Sequence, residues 1–99
     1  MISIIALLTT VLTAGAVTEL SIVPVAGRTE VVIRIDAGAD ARDFMMDDGR
    51  LVIDIDGAQT RSARWDRLNR GGVLALRVAQ FQPGTARVVI ELATPLDYR

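Results

Sequence analysis

The chain has 99 residues, enough for one domain, and its 11 basic and 12 acidic side chains leave a net charge of −1. It contains no Cys, no His and no Lys, all its basic residues being Arg. These absences exclude disulfides, Cys/His zinc centres, Cys nucleophiles, His-based triads and Schiff-base or P-loop lysines. The near-balanced charge offers no global field to recruit nucleic acid or an anionic membrane.

Residues 1–16 (MISIIALLTTVLTAGA) carry no charged side chain, and the first charge is Glu19. A short apolar run from Ile4 to Leu12 leads to Ala14-Gly15-Ala16, an A-x-A pattern of the kind cut by signal peptidase. The run is too short to cross a bilayer, which needs about 20 residues. Residues 1–16 are therefore expected to be an export signal, although Met1-Ile2-Ser3 lacks the usual basic start. The alternative is a hydrophobic first strand. Cleavage after Ala16 leaves a single mature domain, residues 17–99, with no membrane span.

Strand signals fill the mature chain. Leu20, Ile22 and Val25 precede a turn at Ala26-Gly27, and Glu30–Asp36 then alternates with period two, Val31, Ile33 and Ile35 sharing one face. A loop around Gly38 leads to a short strand near Arg42–Met46. Asp47-Asp48-Gly49 reads as a turn, and Arg50–Asp56 repeats the alternation until Gly57. Within residues 58–72, Arg61, Arg64, Arg67 and Arg70 recur every third residue, which in a helix draws a drifting basic stripe that Trp65 and Leu68 would dock. Val73–Phe81 is the next strand, with Leu74, Leu76 and Val78 expected inward and Arg77 and Phe81 outward. Gln82-Pro83-Gly84-Thr85 turns the chain, Arg87–Leu92 is the last full strand, and Pro95 marks its end.

The hairpin Leu20–Ile35 resembles Leu76–Leu92: Gly27 and Gly84 lie 57 apart, as do Val31 and Val88. The pattern predicts an all-β fold, a small sandwich of two short antiparallel sheets with an internal hairpin pseudo-repeat. The expected core is Val31, Ile33, Ile35, Leu51, Ile53, Ile55, Leu76, Val78, Val88, Ile90 and Leu92.

Carboxylates are the only plausible catalytic groups. Asp54 and Asp56 share a strand face about 6.5–7 Å apart, but no cleft signature flanks them. Asp47-Asp48-Gly49 lacks the ligand spacing of a calcium loop. No catalysis, metal or other cofactor is expected. The outward faces instead mix Arg, carboxylates and an aromatic. This pattern suits cross-strand ion pairs, and it equally suits a surface for sugars that bear carboxylates.

Three segments together, Gly49-Arg-Leu-Val-Ile-Asp-Ile-Asp-Gly57, Leu76-Arg-Val-Ala-Gln-Phe-Gln-Pro-Gly84 and Ala86-Arg-Val-Val-Ile-Glu-Leu-Ala-Thr-Pro-Leu-Asp-Tyr98, resemble the AMIN domain. Arg50, Asp54, Arg77, Gln80, Phe81, Pro83, Arg87 and Leu92 stand at the positions of its motifs, with Leu76 in place of the common Ile. The resemblance implies a non-catalytic periplasmic β-domain of a Gram-negative bacterium that localises its host by binding peptidoglycan. The implied host is a type IV pilus or secretion secretin, with other secretin or pilus-assembly subunits as further partners. The alternative is the targeting arm of a zinc-dependent N-acetylmuramoyl-L-alanine amidase whose catalytic domain is absent from this chain. The chain is then expected to be an N-terminal piece of a larger protein or a stand-alone module. The residues expected to contact peptidoglycan are Arg50, Arg77, Gln80, Phe81 and Arg87. Gln80 has inward parity on a regular strand, so its role requires a bulge.

Overall fold

A computed structural model describes residues 2–8, 15–25, 28–35, 40–46 and 48–94. The chain forms nine strands and, among the described residues, no helix: β1 (Ile2–Leu8), β2 (Gly15–Val25), β3 (Arg28–Ile35), β4 (Asp40–Met45), β5 (Arg50–Asp56), β6 (Ala58–Gln59), β7 (Ala63–Trp65), β8 (Val73–Gln82) and β9 (Thr85–Leu92). They assemble into a four-stranded sheet of order β1-β3-β2-β6 and a five-stranded sheet of order β4-β5-β9-β8-β7. The fold is the all-β, two-sheet arrangement that period-two patterning predicts.

The two similar hairpins are the centre of each sheet. In one, β2 and β3 pair antiparallel, with Ile22 opposite Val31 and Leu20 opposite Ile33. In the other, β8 and β9 pair antiparallel, with Val78 opposite Val88 and Leu76 opposite Ile90. The five-stranded sheet is antiparallel throughout. The four-stranded sheet is mixed, because β1 runs parallel to β3 and the two-residue β6 runs parallel to the start of β2. In the uncleaved chain, part of the segment expected as an export signal thus forms an edge strand.

All eleven residues expected in the core are buried, Val31, Ile33, Leu51, Ile55, Val88 and Ile90 completely so. They form one cluster between the sheets, joined by Ala58, Val73 and Ala86. The strands make this possible by alternation: each presents one apolar row inward, and two such rows facing each other exclude water.

One expectation fails locally. Leu74 does not face inward: the register slips between Val73 and Ala75, so Val73 takes the buried position and Leu74 is left 37% exposed. The basic connector forms no helix. It carries β6 and β7, and then backbone at positive φ at Arg67 (57°) and Asn69 (49°) before Gly71-Gly72. A left-handed run of this kind cannot continue a right-handed helix. The segment is instead tied to the sheets through tertiary bonds. Leu68 N donates to Leu74 O, and Thr29 Oγ1 donates to Gly71 O at 2.9 Å. Gly71 sits against Thr29 so closely that a Cβ there would lie 2.9 Å from Thr29 Cβ and Cγ2, at a φ of 55°. The turn expected at Ala26-Gly27, the loop at Gly38, Ala14 of the A-x-A pattern and the strand end at Pro95 lie outside the described residues.

Candidate functional site

The outer face of the five-stranded sheet is built from rows that cross its strands. Phe44 of β4, Val52 of β5, Val89 of β9, Arg77 of β8 and Arg64 of β7 stand opposite one another in register. The next row holds Arg42, Asp54, Arg87 and Ala79. Alternation puts these side chains away from the core, yet Val52 and Val89 are only 3% and 8% exposed. Phe44 stands opposite Val52 and Arg77 opposite Val89 on the neighbouring strands.

Arg87 organises this face. Its Nε and Nη2 donate to Asp54 Oδ1 and Oδ2 at 2.7 and 2.9 Å, the two-pronged geometry that fits a guanidinium to a carboxylate. Its Cζ lies 3.5 Å from the centroid of the Phe81 ring and 6.0 Å from that of Phe44, so one cation stacks on one aromatic and reaches the edge of a second. The bonds from Arg87 hold the buried Asp54 carboxyl below the ordinary carboxylate range, overcoming the opposite push of burial. The same bonds raise the pKa of Arg87.

A bulge places Phe81. Gln80 pairs with Ala86 and Gln82 with Thr85, so Phe81 is the extra residue between them and stands 52% exposed over the sheet face. Arg77, Ala79, Gln80, Phe81, Arg87 and Val89 line a shallow depression of about 320 Å³. Among the described residues Arg77, half-buried at its edge, makes no ion pair. Its cross-strand neighbour Arg64 is engaged by Asp66 at 2.9 Å. Cation, exposed ring and uncompensated guanidinium thus converge on one hollow.

The sequence-derived residues fare unequally. Arg77, Phe81 and Arg87 come together. Gln80 borders the hollow, but the bulge falls after it and leaves it at the inward register position. Its Nε2 donates to Ala58 O and Gln82 O at 3.2 and 3.0 Å, and its Oε1 accepts from Thr60 N at 3.0 Å. The amide expected to reach a sugar is therefore committed to the chain's own backbone. Arg50 lies apart, across from Glu91 and bound by Asp48, with its Nε 2.7 Å from Oδ2. That contact lowers the Asp48 pKa and raises that of Arg50. Arg50 borders a separate depression with Asp48, Gly49, Leu74, Glu91 and Leu92.

Phe44 is the member that sequence reasoning missed. The signal was present: the turn before Arg50 closes a hairpin, with Met46 N bonded to Arg50 O at 2.8 Å, and counting back from it sets Phe44 opposite Val52.

A larger depression of about 690 Å³ opens at the side of the sandwich, where Val17, Leu20, Ala63 and Val78 form an apolar floor beside Trp65 and Arg61. Glu19, held by Arg34 at 2.8 Å, also borders it. Among the described residues no group of three or more acidic side chains is placed to hold a metal ion, and no helix is long and apolar enough to cross a membrane.

The fold is a two-sheet, all-β domain with one outer face on which a paired cation, an exposed ring and an unpaired guanidinium meet. The AMIN domain family matches residues 19–99, and the chain belongs to that family. AMIN domains are non-catalytic, peptidoglycan-binding modules of secretins and amidases, periplasmic in Gram-negative bacteria. Neither a curated protein nor a solved structure matches the chain.

Proposed function

We propose that the chain anchors a larger cell-wall machine, such as a pilus or secretion secretin, by binding peptidoglycan through the hollow around Arg77, Phe81 and Arg87. The observation that carries this reading is the Arg87 guanidinium, fixed beneath Phe81 by Asp54 and set beside the unpaired Arg77. Muramyl peptides present carboxylates, which suit Arg77, and sugar rings present C–H faces, which pack on an exposed ring such as Phe81. Arg87 then acts chiefly by holding the ring and the local field in place.

Contacts of this exposed kind are individually weak, so affinity should be about micromolar or weaker and should fall with salt as the Debye length shrinks below about 10 Å. The test is co-sedimentation with purified sacculi at low and high salt. Arg77→Ala and Phe81→Ala should each reduce binding, while Arg28→Ala, on the other sheet, should leave it unchanged. Arg64→Ala is no neutral control, because Arg64 stands directly across from Arg77. Undiminished binding by Arg77→Ala and Phe81→Ala would overturn the assignment, and equal loss in Arg28→Ala would reduce it to diffuse charge.

The same proposal includes export. The uncharged residues 1–16 ending in Ala14-Gly15-Ala16 support cleavage after Ala16. Mass spectrometry of the periplasmic protein should find Val17 at its amino terminus. A protein retaining Met1 in the cytosol would refute this part.

A further inference from the structure

The β3 edge is covered in the full chain by β1, which pairs with it in parallel from Ile2 opposite Thr29 to Leu8 opposite Ile35. Cleavage after Ala16 removes that strand, and also Gly15 and Ala16, the β2 residues that hold β6. What is left on β3 is a row of backbone donors and acceptors with no strand beside it.

The internal repeat shows what kind of strand such an edge accepts. β9 corresponds to β3, Val88 and Ile90 standing 57 residues after Val31 and Ile33. The far edge of β9 takes β5, antiparallel. Their outward residues are complementary: Arg87-Val89-Glu91 faces Asp54-Val52-Arg50. β3 carries the same type of triplet, Glu30-Val32-Arg34, on its outward positions. Turned antiparallel on itself about Val32, it is its own complement. Glu30 falls opposite Arg34 of a second copy and Arg34 opposite Glu30, with Val31 opposite Ile33 on the inward face. A parallel in-register pairing would instead set Glu30 on Glu30 and Arg34 on Arg34, which opposes association.

We infer that the β3 edge, once β1 is removed, is a self-association surface on which two copies pair β3 to β3 antiparallel about Val32. The pairing is isologous, so each favourable contact occurs twice and the assembly closes as a dimer. Glu19, which binds Arg34 at 2.8 Å from the β2 side, extends the line of alternating charge. In the cell this inference rests on the export reading, since processing is what removes β1. In vitro it does not.

The experiment uses the chain with a protease site placed in residues 9–14, cut after folding and freed of the β1 peptide by gel filtration, and compares it with the uncut chain by analytical ultracentrifugation. The uncut chain should be monomeric. The cut chain should become a dimer while keeping its β-sheet circular dichroism. Glu30→Arg should weaken that dimer by about tenfold, because one substitution creates two like-charge contacts. The exchange Glu30→Arg/Arg34→Glu should restore it. A cut chain that stays monomeric, one that loses its circular dichroism instead of dimerising, an uncut chain that dimerises equally, or a dimer indifferent to Glu30→Arg would each overturn the inference. Because the cut is made in vitro, none of these results depends on where the cell cleaves the chain.

Discussion

Ile53→Ala should destabilise the domain by about 2–5 kcal/mol, through lost burial and the cavity left between the sheets. Ile53 is 2% exposed at the centre of β5, the second strand of the five-stranded sheet, and belongs to the single core cluster. A total stability of about 5–15 kcal/mol is usual, so the loss is a large share of the whole. Its neighbour Val52 is the informative comparison. Val52 points to the opposite face yet is also covered, so Val52→Ala is not silent. It removes two carbons at about 0.8 kcal/mol each, or about 1.6 kcal/mol. Thermal or denaturant melts should rank Ile53→Ala clearly below Val52→Ala and both below the parent. Equal shifts would contradict the assignment of the two faces.

Arg87→Ala should cost about 1–3 kcal/mol, because removing one partner of a part-buried pair leaves the Asp54 carboxylate without its two bonds. Asp54 has only 8% of its side chain exposed and Arg87 29%. The double variant Asp54→Ala/Arg87→Ala should recover much of the loss, since no orphaned carboxylate remains. The acid limb carries the same signature. Asp54 has a lowered pKa in the folded chain, so its contribution is fully present above the unfolded carboxylate value of about 3.9 and is lost as pH falls through the lower native value. Denaturant melts taken below about pH 4 should show a shallower pH dependence in the double variant than in the parent. An unchanged acid limb, or an Arg87→Ala protein as stable as the parent, would return the pair to the class of surface ion pairs worth about 0–1 kcal/mol.

The strands with alternating sequence were legible because a period of two has one simple physical cause. A strand half in water and half in a core writes that division into its residues, as Arg28–Ile35 does. β5 shows where the inference stops. Its alternation is equally clear, but Leu51 to Ile55 are all buried. Val52 stands opposite Phe44 and Asp54 is bound by Arg87 from an adjacent strand, and both placements depend on register. Bulges at Leu74 and Phe81 are likewise decided by pairing, which no local pattern records. β6 and β7 are two and three residues long, and they exist as strands because β2 and β8 lie beside them. At the candidate site, parity correctly sent Arg77, Phe81 and Arg87 to one face. It did not show that Arg87 would be bound by Asp54, that Phe44 would join it, or that Arg50 would be drawn away by Asp48.

Gln80 carries a different lesson. A side-chain amide is a peptide group on a two-carbon tether, and Gln80 uses both of its ends as one. It accepts from the backbone of Thr60 and donates to the carbonyls of Ala58 and Gln82. These groups belong to segments that share no strand pairing, so the amide acts as a rung spliced in where the ladder has none. The end of β8 is thereby laced to the stretch after β6 just where Phe81 is pushed outward. A glutamine beside a Pro-Gly turn, exposed yet committed at both ends of its amide, is here a substitute for main chain.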